Sequence, residues 1–206
     1  MTVQAVVLDI GNVLIEWNPE RFYDRVIGEE RRRALLAETG IEAANLEVDR
    51  GRPFRATIYA AADAAPDWSA EIRMWHDNWI EMASPAIEHS VRLQRTLRAR
   101  GVPVYALSNF GVETFAFAET RYPFLAEFDG RFVSGHLGTV KPEPRIYEVL
   151  ERETGHDPAT LLFTDDRLEN ILAAEARGWQ THHFTGPEGW AARLVAEGLL
   201  AGEDAA

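Results

Sequence analysis

A chain of 206 residues with 46% hydrophobic content is long enough to bury the core of one or two domains. It has no Cys, which excludes thiolate catalysis and cysteine-ligated zinc, and its formal charge of -12 argues against a nucleic-acid surface, where Lys and Arg must neutralise phosphates. The opening MTVQAVVLDI has no basic leader, and Asp9 cuts its apolar run far short of the roughly 18 residues of a membrane span, so a soluble, cytoplasmic protein is expected.

The first predicted strand is AVVLDI near 5–10, almost wholly apolar, as buried parallel strands are. From about 17 to 83 no convincing strand follows, only helical stretches rich in Arg, Glu and Ala, broken by the turn Asp49-Arg50-Gly51-Arg52-Pro53 and by Pro66. Loops inside a compact domain have a median of roughly 4–6 residues. The stretch is therefore predicted to be an inserted helical subdomain, 17–83, with 1–16 and 84–206 forming one core. Its Trp68, Trp75 and Trp79 share one predicted helix face, read as core packing, with a substrate wall as the alternative. Next, Ser84 and Pro85 read as an N-cap and first-turn proline of a helix carrying Val91, Leu93 and Leu97 and stopped by Gly101. Strands are expected again at 102–109 (VPVYALSN), 131–134, 160–166 (TLLFTDD) and 180–185. A helix between the last two places Leu168, Ile171, Leu172 and Ala176 on one face, with Gly178 as C-terminal cap. Alternating strands and helices predict an α/β protein with a doubly wound, Rossmann-like parallel sheet.

Ligands of such sheets bind beyond the carboxyl ends of the strands. Those ends carry Asp9, Ser108-Asn109 and Asp165-Asp166, and Lys141, just before Pro142, falls at the same rim. Singly, each reads as a turn, cap or solvated residue. Together they read as a site.

In this combination the sequence resembles the haloacid dehalogenase-like hydrolase superfamily, through VVLDIGNVL, ALSN, VKPEPRIY and FTDDRLEN in that order. It is similar to the branch with a helical cap after the first motif, and within it to bacterial phosphatases of the α-glucose-1-phosphate type. The resemblance implies that Asp9 is the nucleophile and forms an aspartyl-phosphate. Ser108 and the backbone N–H groups of Gly11 and Asn12, with Asn109 beside them, would hold the phosphoryl oxygens. Lys141 would bridge nucleophile and phosphate. Asp9, the Gly11 carbonyl and Asp166 would bind Mg2+, with Asp165 as an indirect partner and Asn170 ordering the loop. The turn DRGRPF matches a cap loop that dips towards the site, which makes Asp49 and Arg52 specificity candidates.

Elementary electrostatics supports the same roles. Two unit charges 4 Å apart repel by about 4 kcal/mol at an effective dielectric near 20, so several carboxylates around a phosphate require a hard cation such as Mg2+. The chain departs from the common pattern at Gly11, where most phosphatases of the superfamily have a second Asp that protonates the leaving oxygen. General acid help is worth about 10²–10⁴-fold, and Glu16 is a candidate substitute. The six His residues show no metal-ligand spacing beyond the adjacent His182 and His183, whose side chains a strand points apart. The expected function is Mg2+-dependent hydrolysis of a small phosphorylated metabolite such as a sugar phosphate. A 2-haloacid dehalogenase and a binding protein with weakened catalysis are the alternatives. Substrate and oligomeric state are not legible.

Overall fold

The computed structural model describes residues 2–204. Strand β1 (Ala5–Leu8) occupies the centre of a five-stranded sheet with β4 (Val104–Ser108) and β5 (Gly130–Val133) on one side and β6 (Leu161–Asp165) and β7 (Gln180–His183) on the other. All pairings are parallel, with Val6 opposite both Val104 and Leu162. Alternation along β1 divides the core into two layers. Val6 and Leu8 join Val91 and Leu97 of α7 (Glu88–Ala99) and Trp190 and Leu194 of α12 (Pro187–Ala196). Ala5 and Val7 join Ile146, Tyr147 and Leu150 of α10 (Pro144–Thr154) and Ile171 of α11 (Leu168–Glu175). Helices therefore cover both faces, which is why the central strands β1, β4 and β6 read as nearly continuous apolar runs.

The stretch between β1 and α7 begins and ends in a small antiparallel ribbon, β2 (Ile15–Trp17) against β3 (Ala83–Ala86). Between these strands lie α1 (Pro19–Ile27), α2 (Glu29–Glu38), α3 (Ile41–Asp49), α4 (Phe54–Ala64), α5 (Ser69–Asp77) and α6 (Trp79–Met82). Helices α8 (Val112–Arg121) and α9 (Ser134–Leu137) follow β4 and β5. No helix among the described residues is long and apolar enough to cross a membrane.

Three sequence expectations change. Ser84 and Pro85 belong to β3 rather than to a helix start, and α7 begins only at Glu88, because the backbone of 83–86 is used for pairing with β2. Trp68, Trp75 and Trp79 lie in three separate elements, since the helix carrying Trp75 stops at Asp77 and Asn78 (φ -119, ψ 19) redirects the chain. In α11 the buried positions are Asn170, Ile171 and Ala174, while Leu168 and Leu172 are exposed. The buried face also carries Asn170, whose side chain donates to Asp165.

Candidate active site

Strand β1 delivers Asp9 to the carboxyl edge of the sheet with its side chain buried. Three donors converge on its Oδ1: the Ile10 N–H at 2.7 Å, Ser108 Oγ at 2.7 Å and Lys141 Nζ at 2.9 Å. None of these bonds uses Oδ2. Burial, opposed by Lys141 and reinforced by the charge of Asp165, pushes the Asp9 carboxyl up to about 7. Lys141 also lies 2.5 Å from Asp165 Oδ2. Burial works against its charge, but Asp165 and Asp9 together hold the ammonium above the ordinary lysine range.

Around this centre the loops are tied by side chains. Asn170 Nδ2 donates to both oxygens of Asp165 at 3.0 Å, and the Arg167 N–H donates to Oδ1 at 2.8 Å. Asn12, at φ 54 in the left-handed region that Asn tolerates, donates its side-chain amide to Asp166 Oδ2 at 2.9 Å. Asp166 is itself raised, chiefly by burial. Its backbone oxygen meets His183 Nε2 at 2.9 Å, whereas His182 packs on Trp190, so the adjacent histidines do face different surroundings.

Carboxylate oxygens of Asp9, Asp165 and Asp166 lie within 4.8 Å of one another. Three carboxylates against the single ammonium of Lys141 leave an excess of negative charge, and oxygen donors of this kind fit a hard divalent cation such as Mg2+. Asp9 and Asp166 are the members with an oxygen not consumed by Lys141 or Asn170, which makes them the natural ligands of the set.

Several expected residues sit elsewhere or act otherwise. The Asn12 N–H donates to the Ile15 carbonyl at 2.7 Å, so it is not free for a phosphoryl oxygen; the side chain is what Asn12 contributes. Asn109 lines the cavity, and its side chain binds both backbone groups of Lys141, at 3.0 and 2.7 Å, and so fixes the lysine. Arg52 is exposed and approaches Glu47 at 3.8 Å, away from the cavity, because the chain turns outward after Gly51. Glu16 borders the cavity but is ion-paired with Arg21. Asp49, in contrast, does line the cavity, as do Gly11, Ser108, Asn109, Asp166 and Asn170.

The cavity measures about 450 Å3 and runs from Asp9 to the helices between β2 and β3. Sequence reasoning missed most of that far wall: Trp17, Glu42, Asn45 and Leu46, with Phe110 from the core side. Trp17 packs edge-on against Trp75 (5.8 Å) and beside Trp79 (6.0 Å), and Trp79 meets Phe110 at 5.5 Å. Helical periodicity says which residues share a face but not which face an inserted helix turns to a cavity.

A buried acid cluster with a lysine and a serine thus lies at the carboxyl edge of a doubly wound sheet, where α/β proteins bind their ligands. The sequence pattern of the haloacid dehalogenase-like hydrolases matches residues 3–178, and the chain belongs to that family. It is 34% identical over 185 residues to a sesquiterpene phosphatase of Aspergillus oryzae, covering 89% of this chain and 91% of that one. Its fold matches a HAD family enzyme of Bacteroides thetaiotaomicron with a TM-score of 0.71 at 20% identity, over 94% of this chain and 99% of the other. A structure of that enzyme in complex with magnesium and inorganic phosphate gives a TM-score of 0.69 at 21% identity, over 89% and 95% of the two chains. An L-2-haloacid dehalogenase of Xanthobacter autotrophicus, with chloropropionic acid covalently bound, gives 0.64 at 17% identity, over 97% of this chain and 85% of the other.

Proposed function

We propose that the protein is a Mg2+-dependent phosphomonoester hydrolase that works through an aspartyl-phosphate on Asp9, with residues 17–83 acting as a cap over the site. The observation that carries this reading is the buried Asp9, held through one oxygen by Ser108 and Lys141 with the other oxygen unused, beside the Asp165-Asp166 pair. Asp9 and Asp166, with the Gly11 carbonyl, would hold the cation. When bound there, Mg2+ supplies the positive charge that lets a carboxylate approach an anionic phosphorus. Lys141 opposes the rise that burial imposes on Asp9 and orients its carboxylate, and Ser108 offers a neutral donor next to the reacting oxygen. Asn109 and Asn170 keep Lys141 and Asp165 in place, so the charges need not reorganise during reaction.

The far wall indicates the alcohol half of the substrate. Trp17, Trp75, Trp79 and Phe110 present aromatic surface, and the Asn45 side chain is spent on Trp75 (2.9 Å) and Asp49 (3.1 Å). Glu42 is open to a hydroxyl there, but the aromatic wall offers an apolar alcohol more surface than it offers a polyhydroxylated sugar partners. Similarity to a sesquiterpene phosphatase supports the same preference. The dehalogenase reading is disfavoured because Asp165 and Asp166 would repel a haloacid carboxylate.

Phosphate release is the test. Farnesyl phosphate and glucose 1-phosphate are compared with Mg2+ and with EDTA, using Asp9→Asn as control. Mg2+-dependent turnover, abolished in Asp9→Asn and faster on the prenyl ester, is expected. Chloride release from 2-chloropropionate in EDTA, or tight phosphate-ester binding without turnover over hours, would overturn the assignment in favour of a dehalogenase or a binding protein.

A further inference from the structure

A phosphatase of this design needs a proton for the departing oxygen, and position 11 is a glycine. The acids that line the cavity are Asp9, Glu16, Glu42, Asp49 and Asp166. Asp9 attacks, Asp166 is bound to Asn12 at the cation position, Glu16 is ion-paired with Arg21, and Glu42 is exposed at the mouth. Asp49 is left, and its setting differs from the others.

It is the last residue of α3, where the partial negative charge of the helix terminus disfavours a carboxylate. Its carboxyl accepts from Asn45 Nδ2 at 3.1 Å and from the Gly111 N–H. The segment around it is pinned to the core at several points. Ser134 Oγ donates to the Asp49 carbonyl at 2.6 Å, Arg50 pairs with Glu143 at 2.5 Å, and the Phe54 N–H donates to Glu113. Such a carboxyl is placed, not waving. Burial, opposed by the Gly111 N–H and helped by the charge of Asp9, pushes it up to about 7. Among the charged groups of neighbouring elements, Lys141 is engaged by Asp9 and Asp165, Arg50 by Glu143 and Glu47, and Glu113 by the Phe54 N–H; His136 of α9 packs on Phe115.

We propose that Asp49, reaching in from α3, is the proton donor to the leaving oxygen in place of the acid that position 11 lacks. The inference rests on the phosphatase reading. In the first step an Asp9 oxygen bonds to phosphorus as the bond to the ester oxygen breaks. The electron pair goes to that oxygen, which takes the Asp49 proton and leaves as the alcohol. In the second step the Asp49 carboxylate takes a proton from water as the water oxygen bonds to phosphorus. The bond to Asp9 breaks, Asp9 regains its electron pair, and inorganic phosphate departs. One group serves both steps because water enters where the alcohol left.

Steady-state kinetics with Mg2+ on a series from dinitrophenyl to unsubstituted phenyl phosphate tests this. Leaving-group quality varies along the series while shape changes little. The expected result is that Asp49→Asn loses about 10²–10⁴-fold on phenyl phosphate and at least tenfold less on dinitrophenyl phosphate. Adding Gly11→Asp to that variant is expected to recover part of the phenyl phosphate rate, since a Cβ at position 11 meets only Trp17 Cβ, at 3.9 Å. A loss equal across the series, or no recovery, overturns the role of Asp49. No hydrolysis of any ester by the unaltered protein overturns the phosphatase reading instead. Should Asp49→Asn fail to fold, the pH profile of the unaltered protein decides: an alkaline fall in kcat/KM on phenyl phosphate that is absent on dinitrophenyl phosphate supports the donor, and identical profiles sink it.

Discussion

Lys141 Nζ lies 2.5 Å from Asp165 Oδ2, and neither side chain is exposed by more than 1%. The pair is the electrostatic floor of the site, and Asp9 sits on the same ammonium at 2.9 Å. In Lys141→Met two buried carboxylates would face each other without a cation. Removing one partner of a buried ion pair costs about 3–5 kcal/mol. Urea unfolding at neutral pH without divalent ions is expected to show a loss of that size, part of which millimolar Mg2+ restores; an unchanged midpoint would refute the arrangement.

A pH-dependent contact joins the turn after α3 to the loop before α10. Arg50 and Thr139 hold the Glu143 carboxyl down to about 2. A depressed carboxyl contributes stability above its unfolded value near 4.5, and that stability is lost as pH falls towards 2. Because Glu143 is more than a third exposed, solvent screening limits the contribution to about 1 kcal/mol or less. Glu143→Gln is thus expected to be slightly less stable than the parent at pH 7, with the gap closing between pH 4.5 and 2. Thermal melts across that range measure it, and a gap that widens on acidification contradicts the assignment.

Gly51 and Gly28 both have positive φ, at 99° and 83°, but their surroundings differ. A Cβ on Gly28 meets nothing within 4 Å, so Gly28→Ala should cost only the backbone strain of its φ 83, ψ 153 conformation, roughly 1–3 kcal/mol. On Gly51 the Cβ would stand 2.5 Å from the Gly135 carbonyl oxygen, which is backbone and cannot rotate away. Gly51→Ala should therefore lose at least about 3 kcal/mol and release the turn that holds Asp49. Equal denaturation midpoints for the two variants would show that the close approach does not exist in solution.

Trp17 is partly exposed to the cavity and braced by Trp75 and Trp79. Trp17→Ala removes apolar surface from the cavity wall proposed to take the alcohol, without removing a reacting group. Loss of such a contact is worth about 1–2 kcal/mol, or roughly tenfold in KM. The increase is expected for prenyl phosphate and not for acetyl phosphate, which has no skeleton to contact that wall. A matching loss in kcat on both esters would mean instead that Trp17 supports the position of Asp9.

Much of this architecture is legible in the sequence, for identifiable reasons. The central strands β1, β4 and β6 announce themselves because both of their faces are buried, and their polar ends mark one rim; Asp9, Ser108, Lys141 and Asp165 do meet there. The ribbon of β2 and β3 is invisible because three or four residues such as Ile15–Trp17 are too few to show a period. Leu168 and Leu172 mislead because the face of α11 turned to the sheet is the one that carries Ile171, Ala174 and Asn170, whose side chain donates to Asp165. The sequence reading puts the Asn12 backbone N–H and Asn109 on the phosphate, but that N–H meets the Ile15 carbonyl, and both side-chain amides brace loops, Asn12 to Asp166 and Asn109 to Lys141.

The two strands of that small ribbon pair Ile15 with Ala86 and Trp17 with Ala83. Everything from Asn18 to Met82 thus leaves and rejoins the sheet through two junctions one strand spacing apart, roughly 5 Å. A foreign helical cassette whose own termini meet could be spliced between them while the path of the catalytic strands stays as it is. The same scaffold could then be given a differently shaped chamber above the Asp9, Lys141 and Asp166 cluster, provided the new segment brings its own acid in place of Asp49.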